Sequence, residues 1–191
     1  AQPEDRNIFI SKILNGVART ERLIDQMLKL ARLDPENSVF EQEMESIDLC
    51  NFLLEIQDNE AINLRHKQQS IRLKIDPAMP VIRGHRDLLM MALSNLIGNA
   101  SRYSPEGTEI TLGSWGNAHS YGLYVEDQGP GIDEKELPII TQRFKRGKDV
   151  TGEGFGLGLA IVERIAEIHH ASLSISNVAP AGLHSEIVWK K

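Results

Sequence analysis

The chain has 191 residues, 41% of them hydrophobic, which is enough for one cored domain with an appendage and excludes a disordered chain. Its 27 acidic residues outnumber the 21 basic ones, and the net charge of −6 argues against a nucleic-acid-binding surface or a basic membrane-binding face. The sequence has no apolar run long enough to span a membrane and no signal-peptide pattern, so we expect this piece to be soluble.

The first predicted element is one long helix over residues 5–33, with Pro3 near its start and Asp34-Pro35 at its end. A stripe of mostly apolar residues repeats along it at alternating steps of three and four, namely Ile10, Ile13, Val17, Thr20, Ile24, Met27 and Ala31. This spacing is typical of a coiled coil or a helix bundle. We expect the stripe to pack against a second copy of the chain, and packing on its own chain is the alternative.

Residues 35–47 are polar and read as a linker that ends near a short strand. Asp48 is a plausible N-cap for a helix that continues to residue 67. The residues expected on or near its apolar face are Leu49, Phe52, Leu53, Ile56, Ala61, Ile62 and Leu64. Because Cys50 lies among them, we predict a buried structural thiol in a reducing compartment.

A strand is predicted over residues 70–76, where apolar and polar residues alternate, and residues 81–84 are expected to be extended. The helix predicted over residues 86–103 has a core face formed by Leu88, Leu89, Ala92, Leu93, Leu96 and Ile97. Beside this face, Asn95, Asn99 and Arg102 recur at steps of four and three. Asparagine is a mediocre helix former, so the row suggests a ligand, with a solvated polar face as the alternative.

Two alternating segments, residues 108–115 and 120–126, predict a hairpin whose second strand ends at Asp127. Asp127 opens the sequence Asp-Gln-Gly-Pro-Gly-Ile, which without a ligand would be an ordinary turn. The following loop, residues 138–150, carries the basic residues Arg143, Lys145, Arg146 and Lys148 around Phe144, and a solvated charged loop is its alternative reading.

A glycine-rich run, Gly-Glu-Gly-Phe-Gly-Leu-Gly-Leu over residues 152–159, leads directly into a helix that reaches residue 168. Glycines let a backbone approach a ligand closely, and the N-terminus of a helix favours an anion. A phosphate group is therefore the natural ligand, and a flexible turn is the alternative. Two further strands, residues 171–177 and 183–189, end the predicted order.

Taken in order, the asparagine helix, the Asp127–Ile132 motif and the glycine run resemble the ATP-binding catalytic domain of bacterial sensor histidine kinases. That domain belongs to the superfamily shared by gyrase, Hsp90 and MutL, and the resemblance covers nearly the whole chain. It implies an α/β fold, the two-layer α/β sandwich of the Bergerat type, with a long N-terminal helix. We expect one mixed, largely antiparallel sheet of about five strands with helices on one face.

The resemblance also implies ATP and Mg²⁺ as ligands and assigns the residues that hold them. The loop of residues 138–150 would be a lid over ATP that Phe144 anchors to the domain. Asn99 would bind the metal, and Arg102 and the lid residue Arg146 would be catalytic residues at the phosphates. Asn95 would lie near the phosphates. Tyr103 would lie near the nucleoside. Asp127, Gly129, Gly131 and Ile132 would bind adenine, and the loop of Gly154, Phe155, Gly156, Leu157, Gly158 and Leu159 would close over the phosphates. Thr141 stands where the family often has a second lid aromatic, which puts the packing of the lid in doubt.

Asn95 distinguishes kinases from hydrolases within the superfamily. Hsp90 and gyrase have a glutamate one turn before the magnesium asparagine, where it activates water as a general base. An amide cannot accept that proton. We therefore expect this site to hold ATP without fast hydrolysis and to keep the γ-phosphoryl group for a protein acceptor.

The phosphoacceptor of these kinases lies in a box resembling His-Glu-Leu-Arg-x-Pro, and this sequence contains no such string. We interpret its histidines as structural or solvent-exposed. By resemblance, residues 1–34 form the second helix of the dimerisation hairpin, residues 35–47 a linker, and residues 48–191 the ATP-binding catalytic domain. The chain would thus donate phosphate to a histidine that it lacks.

The expected partners are ATP, a second copy of the chain through the N-terminal helix, and a response regulator of the OmpR type. The resemblance places this piece in the cytoplasmic portion of a bacterial inner-membrane sensor, with no membrane contact of its own. Two alternatives stay open. One is a degenerate nucleotide-binding or dimerisation module without phosphotransfer, and the other is an ATP-hydrolysing switch like Hsp90.

Overall fold

The computed structural model describes residues 43–77, 81–142 and 156–191, preceded by residues 14, 16–17, 20–21, 23–28, 30–31, 33 and 40. The chain divides into two compact units, residues 1–32 and 33–191. Within the described ranges, no helix combines the length and the apolarity that crossing a membrane requires. The predicted boundaries at residues 34 and 47 stay predictions.

The first unit is helical at every described position from 14 to 31, as the sequence predicts. Large apolar side chains of the unit are exposed to solvent, and these are Leu14, Val17, Ile24, Met27 and Leu28. Exposure of this kind is typical of a helix that packs against another element. Its pairing with a second copy stays a prediction.

Within its described residues, the second unit has seven strands and three α-helices with defined bounds. The strands are β1 Glu45–Asp48, β2 Ser70–Lys74, β3 Val81–Gly84, β4 Glu109–Gly116, β5 Ser120–Glu126, β6 Ser172–Asn177 and β7 Leu183–Lys190. The helices are α1 Leu49–Arg65, α2 Arg86–Tyr103 and α3 Gly158–Ile168, with a short 3₁₀ helix at Leu137–Ile139. The bounds of α1 to α3 and of β2 to β7 lie within about two residues of the predicted ones, which is the usual disagreement at element ends, whereas the 3₁₀ helix was not predicted.

Five strands form one mixed sheet in the order β2-β4-β5-β7-β6, while β1 and β3 pair separately as an antiparallel ribbon. In the large sheet, β2 pairs with β4 in parallel and the other neighbours are antiparallel. Leu123, Val125 and Ile187 are buried on one face, against the helices, whereas Tyr124 and Glu186 point to the other face. The predicted two-layer α/β sandwich with helices on one face is confirmed.

Helix α1 begins where the sequence predicts, because the Asp48 carboxylate accepts a hydrogen bond from the Asn51 amide at 3.0 Å. Its buried residues are Leu49, Phe52, Leu53, Ile56 and Leu64. Two expectations for this helix were wrong, since Cys50 is exposed and Ile62 is 67% exposed. Successive helical residues are rotated by about 100°, which turns Cys50 away from the Leu49 face and puts Ile62 on the opposite side.

Helix α2 has the predicted bounds and the predicted core face. Leu88, Leu89, Ala92, Leu93, Leu96 and Ile97 are all buried. Helix α3 packs beside it, and its residues Ile161, Val162 and Ile165 are almost completely buried. This pairing of α2 and α3 decides where the asparagines of one helix meet the start of the other.

The end of α3 is fixed by a buried histidine, which agrees with the structural role expected for it. The His169 Nε2 accepts a hydrogen bond from the backbone N–H of His85 at 3.0 Å. Since that N–H can only donate, the proton of the neutral ring is on Nδ1, which donates to the Ile165 carbonyl at 2.7 Å. Burial lowers the pKa of His169, and the neighbouring His85 and His170 lower it further, against the raising effect of its hydrogen bonds.

We expect this histidine to make the fold sensitive to mild acid. The pKa of His169 is 6.5 in the unfolded chain and lower in the folded chain. Between the two values the unfolded chain binds more protons, so the stability present above pH 6.5 is lost as the pH falls through this window. Urea unfolding of His169→Gln between pH 5 and 7.5 should give a flatter profile than wild type, although the variant is less stable at pH 7.5. The exposed His119→Gln is the control, and an unchanged slope in His169→Gln would contradict the assignment.

Candidate functional site

The polar face of α2 carries Asn95, Asn99, Arg102 and Tyr103 along the half of the helix that approaches its C-terminus. The two asparagines are half-buried, whereas Arg102 and Tyr103 are exposed. The Asn95 amide donates to the Met91 carbonyl of its own helix at 2.8 Å. The Asn99 amide makes no hydrogen bond to the described part of the chain, so its polar atoms are available to a ligand.

The first turn of α3 faces these asparagines. A Cβ atom built on Gly158 would lie 3.3 Å from Oδ1 of Asn95 and 3.6 Å from Nδ2 of Asn99. A Cβ atom at this position would be in tight contact with the Asn95 amide and in ordinary van der Waals contact with the Asn99 amide. Gly156, two residues earlier, has φ +68°, a backbone conformation that favours glycine. The start of α3 thus approaches the two asparagines of α2 closely at Gly158, the last glycine of the predicted run.

The N-terminus of α3 has backbone amides that can bind an anion. The first main-chain bond of the helix runs from the Ile161 amide to the Leu157 carbonyl, and the first turn holds no acidic residue. The amides ahead of Ile161 have no partner within the helix, as at every helix start. Together with the helix dipole, they favour a negatively charged group beside Asn95 and Asn99.

The second part of the site is the loop of residues 127–132, which follows β5. Asp127 is 9% exposed, and its Oδ1 accepts hydrogen bonds from the amides of Gly129 at 2.7 Å and Leu183 at 3.2 Å. Because both bonds use Oδ1, Oδ2 is left for a ligand. Burial raises the pKa of the Asp127 carboxyl, partly offset by the two amides, and the charge of Glu126 adds to the rise.

Glycines in this loop allow close contacts that other residues would prevent. A Cβ atom on Gly129 would lie 3.2 Å from the Tyr103 carbonyl, so the loop passes close to the end of α2. Gly131 has φ +75°, where a side chain would be strained. The loop therefore places Gly129 close to the Tyr103 carbonyl and to the Asp127 carboxylate, and the nucleoside site at these residues stays a prediction. Ile132 is half-buried at its end.

Side chains outside the predicted set attach this loop to its surroundings. The Ser104 hydroxyl accepts from the Gln128 amide at 3.3 Å. On the other side, Asn177 exchanges two hydrogen bonds with the backbone of Ile132. Sequence reasoning missed both residues, because each contact joins segments that are distant along the chain.

The end of α2 is held by two further residues that were not predicted. The Lys67 ammonium donates to the carbonyls of Ser101 at 2.8 Å and Arg102 at 3.0 Å. The buried Gln69 amide donates to the Pro105 carbonyl at 2.9 Å and accepts from the Ser101 hydroxyl at 2.6 Å. These contacts satisfy carbonyls that the helix end leaves unpaired, and they fix the turn that carries Arg102 and Tyr103.

The structure therefore brings together most of the predicted residues. Asn95 and Asn99 face Gly158, the Tyr103 carbonyl lies close to Gly129, and Asp127 begins the loop that contains Gly129. Leu157 is buried and supports α3, and Leu159 is half-buried on it. Arg146, Gly154 and Phe155 lie outside the described residues, as does the lid residue Phe144. Among the residues that are described, no group of three or more His, Cys, Asp or Glu side chains could hold a metal ion.

The chain is similar to known proteins in both sequence and structure. Residues 84–190 match the family described as histidine kinase-, DNA gyrase B-, and HSP90-like ATPase. The sensor protein QseC of Salmonella typhimurium is 33% identical over 193 residues, a match that covers 98% of this chain and 40% of QseC. The sensor protein BasS of the same organism is 37% identical over 180 residues, which covers 92% of this chain and 49% of BasS.

One solved structure is also similar to this chain. The cytoplasmic segment of histidine kinase QseC is similar with a TM-score of 0.60 and 26% sequence identity, over 91% of this chain and 93% of that one. The chain spans less than half the length of the two sensor proteins, at 40% and 49%.

Proposed function

This chain belongs to the histidine kinase-, DNA gyrase B- and HSP90-like ATPase family and carries the catalytic domain of a sensor histidine kinase. From this premise we propose that it transfers the γ-phosphoryl group of ATP to a histidine on a dimerisation helix. The observation that carries the proposal is the close approach of the α3 start, at Gly158, to Asn95 and Asn99, in the same unit as the loop of Asp127. That arrangement offers separate places for a phosphate chain and for a base.

In the proposed complex, adenine lies on the 127–132 loop. Oδ2 of Asp127 accepts a hydrogen bond from the exocyclic amine of the base, since Oδ1 is occupied by backbone amides. The glycine backbone and Ile132 provide the flat and apolar contacts that a base requires. Guanine has a carbonyl oxygen in place of that amine, so it would meet a carboxylate oxygen and be disfavoured.

The phosphates of ATP would lie between α2 and α3. The amides at the α3 start, Arg102 and the lid residue Arg146 are the groups proposed to bind them. In the transfer step, a histidine nitrogen forms a bond to the γ-phosphorus while the bond to the β–γ bridging oxygen breaks and ADP leaves. The residues of this chain contribute by positioning the reactants and by stabilising the charge of the phosphates.

The residues also fit a magnesium ion, which we propose as the companion of ATP. The Asn99 amide lies at the α3 start and has no hydrogen bond from the described residues, so its oxygen can serve as the protein ligand. A small hard cation that keeps several waters and binds phosphates needs few protein oxygens. When bound, the ion would neutralise charge on the β- and γ-phosphates.

Asn95 supports a kinase rather than a hydrolase. Its amide donates to the Met91 carbonyl and its Oδ1 lies near Gly158. By resemblance, this is the position at which Hsp90 and gyrase have their glutamate. Since an amide cannot accept a proton from water, ATP would persist until a protein acceptor arrives.

The remaining parts of the proposal concern the longer protein to which such a domain belongs. We propose that residues 1–34 are the second helix of a dimerisation hairpin and that two copies pair there, because exposed apolar residues follow the predicted stripe. The phosphoryl group would then pass to the aspartate of a response regulator, for which we propose the OmpR type. A bacterial inner-membrane sensor with this piece in the cytoplasm is the setting that we infer from the relatives.

Calorimetric titration with a non-hydrolysable ATP analogue and Mg²⁺, with GTP as competitor, tests the site. We expect the adenine nucleotide to bind and GTP to compete poorly. Addition of a dimerisation helix that carries the acceptor histidine, with γ-labelled ATP, should then label that helix.

Three other outcomes of the titration and the transfer experiment would contradict the proposal. No binding to the folded chain would overturn the proposal. Binding without transfer would indicate a degenerate module, and steady release of phosphate without an acceptor would indicate a switch of the Hsp90 type.

A further inference from the structure

Asn177, the last residue of β6, makes a pair of hydrogen bonds with one residue 45 positions away. Its Oδ1 accepts from the Ile132 amide at 2.8 Å, and its Nδ2 donates to the Ile132 carbonyl at 2.7 Å. The side-chain amide thus pairs with both polar groups of one backbone residue, as a neighbouring strand would. Few side chains can do this, because the pairing needs a donor and an acceptor side by side.

These bonds attach the distal end of the loop that carries Asp127. At its proximal end, the loop is held by the Asp127 carboxylate and by the bond from Gln128 to Ser104. Its distal end, at Ile132, has its backbone bonded to Asn177 within the described residues. The loop is therefore fixed at both ends, and Asn177 supplies the distal attachment.

Packing in the loop also depends on Asn177. A Cβ atom on Gly131 would lie 2.7 Å from the Asn177 Oδ1 and 3.3 Å from the Gly182 carbonyl. Gly131 thus fits closely between Asn177 and the turn that precedes β7. The left-handed backbone of Gly131 and the amide of Asn177 together set the direction in which the chain leaves the loop.

We propose that Asn177 is a positioning residue for the nucleotide base, and that it sets both the affinity for adenine and its preference over guanine. This inference rests on the proposed function, since it assumes that the base lies on residues 127–132. Without the Asn177 amide, the backbone from Gly129 to Ile132 is held at one end, and the distance between the base surface and Asp127 is no longer fixed. Recognition by one hydrogen bond to a rigid carboxylate depends on that distance.

The test compares Asn177→Ala and Asn177→Asp with a matched control. Asn117 is also an exposed asparagine beside a strand of the same sheet, and its Oδ1 accepts from the amides of His119 at 2.8 Å and Ser120 at 2.9 Å. It lies in the β4–β5 turn, at the opposite end of β5 from Asp127. Asn117→Ala therefore removes a similar pair of backbone bonds away from the proposed base.

The readout is the dissociation constant of the ATP analogue, of GTP by competition, and of inorganic tripolyphosphate, each with Mg²⁺. We expect Asn177→Ala to weaken ATP binding roughly tenfold, as the loss of two hydrogen bonds allows, and to lower the ATP-to-GTP affinity ratio with it. Asn177→Asp should do the same, because a carboxylate cannot donate to the Ile132 carbonyl. Tripolyphosphate binding should not change, and Asn117→Ala should bind every ligand as wild type does.

The outcomes separate this inference from the function on which it rests. Wild-type protein that binds no adenine nucleotide overturns the proposed function and the inference together. Wild-type protein that binds ATP, with Asn177→Ala unchanged in affinity and in ATP-to-GTP ratio, overturns the inference alone. An equal weakening of ATP, GTP and tripolyphosphate in Asn177→Ala also overturns it, since a general loosening of the domain would act on all three.

Discussion

Replacement of Asn99 by alanine is expected to abolish phosphoryl transfer to a supplied acceptor helix, with a rate lower by at least about 100-fold. The amide lies at the start of α3 and is proposed to be the protein ligand of the metal that accompanies ATP. Its removal breaks no hydrogen bond to the described residues, so the fold should survive. Asn99→Asp should also fail, because a carboxylate adds negative charge beside the phosphates. Transfer of label from γ-labelled ATP to the acceptor helix measures both variants.

The control for this experiment is Asn63→Ala. Asn63 is an exposed asparagine of α1, and its side chain bonds only to Glu60 among the described residues, at 3.0 Å. Its loss removes an amide of the same kind from a helix without touching the site. Normal transfer by Asn99→Ala at saturating ATP would refute the role given to Asn99, and unfolding of the variant in circular dichroism would show that the residue is structural instead.

Asp127→Asn is expected to weaken binding of the ATP analogue by roughly 100-fold, because the hydrogen bond that the adenine amine donates to a charged acceptor is replaced by repulsion. The backbone amides of Gly129 and Leu183 both donate to Oδ1, so the oxygen of the new asparagine must stay with them. The NH₂ group then faces the exocyclic amine of adenine, and two donors meet. Guanine presents an acceptor there, so the preference for ATP over GTP should shrink or reverse.

The same substitution should not harm the fold. The pKa of Asp127 is raised above 3.8, so the folded state binds more protons than the unfolded state just above that value. Stability therefore falls as the pH rises through this window, and the buried charge is a cost at neutral pH. A neutral asparagine avoids that cost and keeps both backbone bonds. Urea unfolding at pH 7 should find Asp127→Asn at least as stable as wild type.

Asp133→Asn is the matched control for the binding experiment. Asp133 is exposed and follows the loop of residues 127–132 directly. Its carboxylate accepts a hydrogen bond from the Lys135 amide at 2.9 Å. It should bind ATP as wild type does. Unchanged affinity in a folded Asp127→Asn would remove Asp127 from the base site.

The elements that hold the site could be predicted because their signals are local. Asp48 precedes an apolar period and caps α1 as expected. The row of buried residues in α2 sets its phase, and that phase fixes Asn95 and Asn99 on a common side. The order of the glycines indicated the loop of residues 127–132, whereas the glycine run ahead of α3 lies partly outside the described residues. Each of these inferences needs only residues within a few turns of one another.

Contacts between distant segments could not be predicted in this way. No local pattern shows that Asn177 would meet Ile132, 45 positions earlier, or that Lys67 would reach the end of α2. The β1–β3 ribbon also escaped, because its pairing depends on two short strands separated by α1 and β2. Burial at the edge of a helical face was misjudged for Cys50, since neighbouring apolar letters do not show which way a side chain points.

Cys50 stands at the surface as the single thiol of the chain. Under oxidising conditions, two chains can therefore be joined through this residue by a disulfide. Such a covalent dimer would imitate pairing of the N-terminal helices in gel filtration, so the oligomeric state should be measured in reductant or with Cys50→Ser. The same thiol accepts one maleimide dye per molecule at the start of α1, which provides a stoichiometric optical label without any engineered cysteine.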